Sequence, residues 1–412
     1  MKRPAHFPNL RHLRMFLSVC ELGSLNAAAK DLNIAQPAIT QAISRLEEHY
    51  AVPLLTRRSG GSQPTREGHV LWQRCDRFFR ILQRGIMVAS ERAVAPTLSQ
   101  SNHIVARLTA SQIFAHVSVS HHGSLLLAAK ADGISVSALH RSARDVESNL
   151  GYELYTKTRQ GLAANRAGAE LARQFQIALR EIVTAEEELK GADGSLKGRV
   201  LIASLPMIRS AILGKAINRT RARAPQVDFV VLEGVYDTML RALRSGEADM
   251  LIGAIRHPPP ANDVTETYLF SDPYTIIARK GHPLEGKDVS IDDLASCEWV
   301  AQREGTPVRN ALNALFAGRQ EGPRVRIEAP STLLMRSILL DSDALAVLSV
   351  RQVALEVKLG LLTPLRFHVS AGGRAIGITM RSDWLPSRTQ LLFLESFYEV
   401  LSEEIEGFVP PK

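Results

Sequence analysis

The sequence predicts an α+β multidomain chain, with a helical N-terminal half built from two copies of one unit and an α/β C-terminal half. Three observations carry this reading. A repeat at a constant offset of 100 residues runs through the first half; a long amphipathic stretch follows each copy; and from Arg199 short apolar runs alternate with helical ones. A chain of 412 residues has room for about two to four domains with sizeable cores.

The repeat aligns Gly23-Ser24-Leu25 and Ala28-Ala29-Lys30 with Gly123-Ser124-Leu125 and Ala128-Ala129-Lys130. It continues without gaps through Ile34/Ile134, Ala38/Ala138, Glu47/Glu147, Leu54/Leu154, Thr56/Thr156, Gly61/Gly161, Arg66/Arg166 and Gly68/Gly168. Chance would supply only about 3 identities over such a stretch. Helix-start residues recur with it: Asn9/Thr109, Ser24/Ser124, Gln36 before Pro37 against Ser135, and Thr65/Asn165. Both copies therefore read as helix, short helix, longer helix, hairpin, long helix.

In the third helix the apolar residues Ile39, Ile43, Leu46 and Tyr50, and again Leu139, Ala143, Val146 and Leu150, form one buried stripe. The opposite face carries Pro37, Thr40, Gln41, Ser44 and Arg45 in copy one, and Ser137, His140, Arg141, Arg144 and Asp145 in copy two. A short helix with small polar, amide and guanidinium groups fits the major groove of DNA, where Arg and Gln address base edges. Arg57 and Arg58, or Lys157 and Arg159, follow in an extended segment beside a Gly- and Ser-rich turn, suited to phosphate contact. Gln36 and Ser24, with Arg66 and Arg166 at the starts of the long helices, complete the candidate DNA-binding set.

Charge separates the two copies. The net +8 divides into +7 over residues 1–100, +1 over 101–190 and 0 over 191–412. Asp145 stands where copy one has Arg45, and a carboxylate facing phosphate is repulsive. The first copy is thus expected to hold DNA more tightly.

In the long helices, Leu71, Cys75, Phe78, Leu82, Gly85 and Ala89 follow 4-3 spacing, as do Leu171, Phe175, Ala178, Ile182, Ala185 and Leu189. Each is a seam for a helix pair and is expected to drive association between chains. Ala93–Asn102 reads as a polar linker and Gly191–Gly198 as a second. The units then span 8–66 and 108–166, the long helices 67–94 and 167–191, the connector 95–107, and the remaining domain 198–410.

Beyond Arg199, residues 200–203, 227–232, 250–253, 274–278, 299–300, 325–328 and 345–348 read as strands of largely parallel sheets, with helices at about 208–223 and 238–245. Three strand-to-helix junctions, Ser204-Leu205-Pro206, Gly305-Thr306-Pro307 and Pro330-Ser331-Thr332, offer hydroxyls and free N–H groups to a small anion. Gly253 ends one of the strands.

Several classes are excluded. There is no phosphate loop, no His-Glu-x-x-His, no Cys-x-x-Cys and no Gly-x-Ser-x-Gly, so neither enzyme activity nor a metal site is expected. His121-His122 reads as a solvated loop pair. Cys20, Cys75 and Cys297 are isolated, which fits a reducing compartment. Ala344–Val350, among the longest apolar runs, is far too short for a membrane span, and Met1–His6 lacks the apolar core of a leader.

The residues from Leu10 to Gly68, with Leu32-Asn33-Ile34-Ala35-Gln36-Pro37-Ala38-Ile39-Thr40, Ile43-Ser44-Arg45-Leu46-Glu47 and Leu54-Leu55-Thr56-Arg57, resemble the winged helix-turn-helix of LysR-type transcriptional regulators. The Gln-Pro-Ala-Ile start of the recognition helix is specific to them. From about Gly198 the chain is similar to their two-lobed, periplasmic-binding-protein-like effector domain, with lobes near 199–265 plus 373–410 and near 268–365, crossing at about Leu269 and Phe367. The second helix-turn-helix departs from ordinary members. It resembles the subgroup with tandem modules, which includes regulators of lignin-derived aromatic acid catabolism and of sugar-binding-protein expression. Copy two has Val136-Ser137 in place of the Gln-Pro pair.

The resemblance implies a cytoplasmic bacterial homodimer or homotetramer that binds double-stranded promoter DNA, meets RNA polymerase and uses no cofactor. Its coinducer, an aromatic acid or a sugar, would sit between the lobes near Ser204, Leu205, Tyr236, Gly253, Arg256, Thr306, Ser331 and Thr332. The rival reading is a small-molecule sensor whose helical half makes protein contacts only.

Overall fold

One chain order of helices and hairpin occurs twice. Helix α1 (Leu10–Leu22) starts at Asn9, whose side chain accepts the Arg11 N–H, and stops at Gly23 in the left-handed conformation. Helices α2 (Leu25–Asp31) and α3 (Gln36–Tyr50), hairpin β1 (Leu55–Arg58) and β2 (Gly61–Pro64), and the long α4 (Arg66–Ala89) follow. After α5 (Leu98–Arg107) the order returns as α6 (Ala110–His122), α7 (Leu125–Asp132), α8 (Val136–Leu150), β3 (Tyr155–Thr158), β4 (Gly161–Ala164) and α9 (Arg166–Leu189). The computed structural model describes residues 7–58, 61–90, 97–159, 161–191, 195–205, 211–256, 258–370 and 372–411, without the side chains of residues 57, 58 and 211.

The internal contacts repeat with the elements. Glu47 accepts the N–H groups of Leu54 and Leu55, and Glu147 those of Leu154 and Tyr155, so each third helix is tied to its hairpin by one carboxylate. A Cβ on Gly68 would lie 2.0 Å from the Leu54 carbonyl oxygen, and one on Gly168 2.2 Å from that of Leu154. Only glycine lets the long helix pass so close to the strand before it. One core position changes from apolar to ionisable: Phe16 of copy one is replaced by His116, fully buried, with its ring nitrogens 2.5 Å from the Tyr155 hydroxyl and 2.8 Å from the Gly168 carbonyl. Burial lowers its pKa to about 4.

Two sequence expectations are corrected here. Residues 98–107 are a helix rather than an irregular linker: Thr97 and Gln100 form a reciprocal capping box, a start signal masked by the Ser- and Pro-rich composition around it. His121 and His122 are not in a loop but close the last turn of α6.

The seams of α4 and α9 find each other within the chain. This corrects the expectation that each serves association between chains. Leu71, Cys75, Phe78, Leu82 and Ile86 share one continuous core with Leu171, Phe175, Ala178, Ile182 and Ala185. The helices are antiparallel: Arg74 reaches Glu181 and Glu188, whereas a Cβ on Gly85 would lie 2.6 Å from the Gln174 Cβ. Periodicity marks a seam but is silent about which helix covers it, and the nearest apolar stripe of matching length lies on the same chain.

Arg74 joins this pair to the second half. Its side chain, 4% exposed, makes 2.9 Å bridges to Glu181 and Glu188 and donates to the Leu385 carbonyl at 2.8 Å. Arg77 bonds Glu181 and the Asp383 carbonyl, and Arg173 bridges Asp263.

The C-terminal half contains β5 (Gly198–Ser204), α10 (Ala211–Arg223), β6 (Val227–Glu233), α11 (Tyr236–Arg244), β7 (Met250–Ala254), β8 (Val264–Pro273), β9 (Thr275–Arg279), α12 (Ile291–Ser296), β10 (Glu298–Ala301) and α13 (Pro307–Leu315). It continues through β11 (Arg324–Glu328), α14 (Thr332–Leu340), β12 (Ala346–Leu348), α15 (Ala354–Lys358), β13 (Leu362–Pro364), β14 (Gly373–Arg381) and α16 (Arg388–Glu404). The first sheet has the order β6-β5-β7-β14-β8; the second lobe holds β12-β9-β13 and the pair β10-β11. Strands β6, β5 and β7 are parallel, as are β10 and β11, but β14 runs antiparallel to β7 and β8, and β9 antiparallel to both its neighbours. The first sheet is therefore mixed and the three-stranded sheet of the second lobe antiparallel, rather than both largely parallel. The added direction comes from the chain's return: β8 carries it out of the first sheet and β14 brings it back. At that crossing Asp272 and Arg374, both almost fully buried, form a 2.6 Å ion pair.

Gly85→Leu should destabilise the helical half by about 1–3 kcal/mol in thermal or urea unfolding, because the seam has no space for a side chain there; Gly85→Ala combined with Gln174→Gly should recover most of the loss suffered by Gly85→Ala alone. A neutral Gly85→Leu would contradict the seam. Since His116 has a lower pKa folded than unfolded, the unfolded chain binds the extra proton first as pH falls. Stability should drop from about pH 6.5 towards pH 4, by up to about 3 kcal/mol for this group. In His116→Phe that slope should be shallower, as read by urea midpoints across the same range.

Candidate nucleic-acid interface and effector cleft

The turn between α2 and α3 is short because Asn33 takes a left-handed φ of 52°; Gly133 does the same work in copy two. Ser24 caps α2 through the Ala27 N–H, its counterpart Ser124 caps α7, and Pro37 occupies the first turn of α3, where its missing N–H costs nothing. The buried stripe Ile39, Ile43, Leu46 and Tyr50 then fixes which face of α3 points outward. Pro37, Gln41, Ser44 and Arg45 are exposed on it, while Gln36 and Thr40 are half-buried and bonded to each other at 3.0 Å. His12 of α1 lies close enough to Arg45 and Arg11 for both to add to the effect of burial in lowering its pKa. Arg11, exposed on α1, lines a cavity between the two copies with Ala106, Arg107 and Thr109 rather than a shared surface with Arg45.

The second copy presents a face of different charge. Ser137, His140, Arg141 and Asp145 are exposed on α8, but Arg144 is bridged to Glu147, the carboxylate that holds the hairpin. Its charge is therefore partly spent inside the unit. Lys157 and Arg159 are exposed at the hairpin, and Arg66 and Arg166 are exposed at the first position of α4 and α9. Arg57 and Arg58 have their backbone in β1; their side chains lie outside the described residues.

In the first lobe the expected ligand residues gather at the carboxyl ends of three adjacent parallel strands. Ser204 ends β5, Tyr236 begins the helix after β6, and Arg256 follows β7. Tyr236 donates to Glu266 at 3.1 Å, and the Arg256 guanidinium lies 3.8 Å from the centre of its ring. Burial first, then the Glu266 carboxylate, raises the pKa of this phenol. Glu266 also accepts the Arg256 backbone N–H at 3.1 Å and the Thr379 hydroxyl. It was missed in the sequence because it lies in the mid-part of an unrecognised strand, with no motif around it.

Ser204 is fully buried, with its hydroxyl bonded to the Leu205 carbonyl. Leu205 packs against Gly253, where a Cβ would approach its side chain to 2.5 Å, so these two residues shape the floor of the strand ends by contact. Pro206 and the expected helix start at Ile208 lie outside the described residues.

In the second lobe, β10 and β11 are parallel neighbours, which brings Thr306 and the Ser331-Thr332 junction to the same edge. Thr306 and Ser331 cap α13 and α14 through the N–H groups of Arg309 and Leu334. The Thr332 hydroxyl is buried without a hydrogen-bond partner. Two rows of strand ends with helix N-termini thus carry the expected ligand residues.

Among the described residues no group of three His, Cys, Asp or Glu could hold a metal, and no helix is long and apolar enough to cross a membrane. Burial raises the Cys20 thiol to about 12 and pushes Cys75 well above its usual value, so both are protonated seam or core residues.

A helix-turn-helix with an outward polar recognition face, joined by a long helix to an α/β half with ligand-type strand ends, defines a one-chain transcriptional regulator that couples DNA binding to a small molecule. Comparison with known proteins agrees. Residues 10–69 match the bacterial regulatory helix-turn-helix of the LysR family, and residues 193–402 match the LysR substrate-binding domain. The HTH-type transcriptional regulator GalR of Pseudomonas putida is 30% identical over 400 residues, covering 96% of this chain and 98% of that protein. PcaQ of Agrobacterium fabrum is 24% identical, covering 71% and 94%. Among solved structures, ArgP from Mycobacterium tuberculosis shares the fold at a TM-score of 0.54 with 17% identity over 72% of this chain and 98% of that one. A full-length OxyR variant from Pseudomonas aeruginosa does so at 0.52, also with 17% identity, over 72% and 95%.

The chain belongs to the LysR family of DNA-binding transcriptional regulators, whose C-terminal domain binds a small effector. Its relatives are named transcriptional regulators, a non-enzymatic family.

Proposed function

We propose that this regulator has tandem winged helix-turn-helix units that both address double-stranded promoter DNA, α3 with the larger share of affinity and α8 with the smaller. The observation that carries this is the exposed Gln41, Ser44 and Arg45 stripe on α3 against His140, Arg141 and Asp145 on α8; of the +7 carried by residues 1–100, Arg74, Arg77 and Arg84 are bridged to Glu181, Glu188 and Asp383 and do not add to it. Arg and Gln reach base edges with paired hydrogen bonds, and surplus cations nearby add the salt-sensitive phosphate term. The matching contacts of Glu47 and Glu147, and of Gly68 and Gly168, support a shared architecture for the two units.

The effector is a small organic molecule held between the two rows of strand ends, contacted by Tyr236, Arg256, Thr306, Ser331 and Thr332, with Ser204, Leu205 and Gly253 forming the floor. An exposed guanidinium stacked on a tyrosine suits an aromatic carboxylate, which would take the place of Asp237, now 3.4 Å from Arg256, as its counter-charge. A sugar would use the hydroxyls and Glu266 instead. The protein acts in the cytoplasm as a homodimer or homotetramer and meets RNA polymerase at the promoter.

Gln41→Ala with Arg45→Ala should weaken operator binding by about a hundredfold or more in a gel-shift titration, whereas His140→Ala with Arg141→Ala should cost markedly less. Equal losses would contradict the asymmetry, and an affinity indifferent to salt between 50 and 200 mM would contradict DNA binding through phosphates. In thermal-shift titrations, benzoate or a hydroxybenzoate should raise Tm in the intact protein and not in Arg256→Ala. A response to hexoses alone would move the ligand to the sugar class.

A further inference from the structure

The two reading units are joined in a way that goes beyond duplication. Helices α4 and α9 are each other's repeat equivalents, and they lie antiparallel in one seam centred near Phe78 and Ala178, themselves equivalent positions and both fully buried. At one end Gly85 abuts Leu171 and Gln174; the repeat counterparts at the other end, Ala185 and Leu71, are fully buried as well. An antiparallel pair of equivalent helices has an approximate two-fold axis across its middle. The hairpins lead into the N-terminal ends of α4 and α9, so the units are fastened to opposite ends of a rod of about 36 Å, at 1.5 Å per residue. The units also touch directly, with the Phe7 ring against Phe114 at 5.2 Å.

A two-fold protein meets the two-fold symmetry of duplex DNA with half-sites about one helical turn, or 34–36 Å, apart. Here the two reading faces are unlike: Gln41, Ser44 and Arg45 on α3 correspond in the repeat to Arg141, Arg144 and Asp145 on α8, beside His140. We infer that each chain of the assembly fills a complete pair of half-sites by itself, its internally paired α4 and α9 presenting α3 and α8 to two adjacent half-sites of different sequence. The inference rests on the reading that both units face DNA. Its partner is a non-palindromic duplex in which one half-site is set by each helix, with Asp145 excluding the bases that Arg45 accepts.

The test is selection of binding sites from a random duplex library by the full-length protein, by Gln41→Ala with Arg45→Ala, and by His140→Ala with Arg141→Ala. The expected wild-type motif has two unlike halves about one turn apart, and each variant loses at least tenfold enrichment in its own half alone. An inverted repeat of one half, erased on both sides by the α3 variant and untouched by the α8 variant, would overturn the inference while leaving DNA binding intact. No enriched motif at all would instead overturn the reading beneath it. To separate one chain from two, the variants are co-expressed and the mixture titrated on the selected duplex. The inference expects no recovery of affinity, because neither chain carries both reading helices; recovery to within a few-fold of the intact protein would place the helices on different chains and overturn it.

Discussion

The antiparallel seam between α4 and α9 is the constraint on which the rest of the molecule depends. It exists because two stretches with the same 4-3 apolar spacing lie on one chain, each ending a unit that needs its long helix covered. Close approach is set by Gly85, and the register by Arg74, whose buried charge would be costly to desolvate without Glu181 and Glu188 around it. Arg74 also holds the Leu385 carbonyl, and Glu188 accepts the Arg388 backbone N–H. The same polar node therefore spans both long helices and the start of the last helix of the first lobe. Any rearrangement of the lobes that moves residues 383–388 must be accommodated by the helix pair, which is a physical connection between the C-terminal half and the helical half.

The copies diverge on the outward face of the third helix and agree in the contacts that tie that helix and the long helix to the hairpin. Glu47 and Glu147, Thr65 and Asn165, Gly68 and Gly168 make the same contacts. Arg45 against Asp145, and a segment charge of +7 against +1, do not match. A shared scaffold with an altered face is what the proposed tuning of two DNA-reading units on one frame would require. The bridge from Arg144 to Glu147 lowers the free charge of the second unit's outward face further, a feature visible only in three dimensions.

Local signals carried a large part of the fold. Helix starts at Asn9, Ser24, Thr65, Thr109, Ser124 and Asn165 were legible because each is a short-range contact between a side chain and the next turn. Strands near 200, 227, 250 and 299 were legible as apolar runs. What pairs with what was not: the partner of each seam, the reversed direction of β14, and the ion pair between Asp272 and Arg374 depend on residues far apart in sequence. For the same reason Tyr236 and Arg256 could be named from the strand ends and the family resemblance, while Glu266, which ties them together, could not.

The most direct measurement of the internal seam is a distance within one chain. Val88 and Ala169 are both exposed and line the same surface cavity where the end of α4 meets the start of α9. Spin labels on Val88→Cys and Ala169→Cys, in a background with the three native cysteines replaced, should give a short distance by double electron–electron resonance. That distance should persist unchanged when the labelled protein is refolded with a large excess of unlabelled chain. Its disappearance on such dilution would show that the seam forms between chains and would contradict pairing within one.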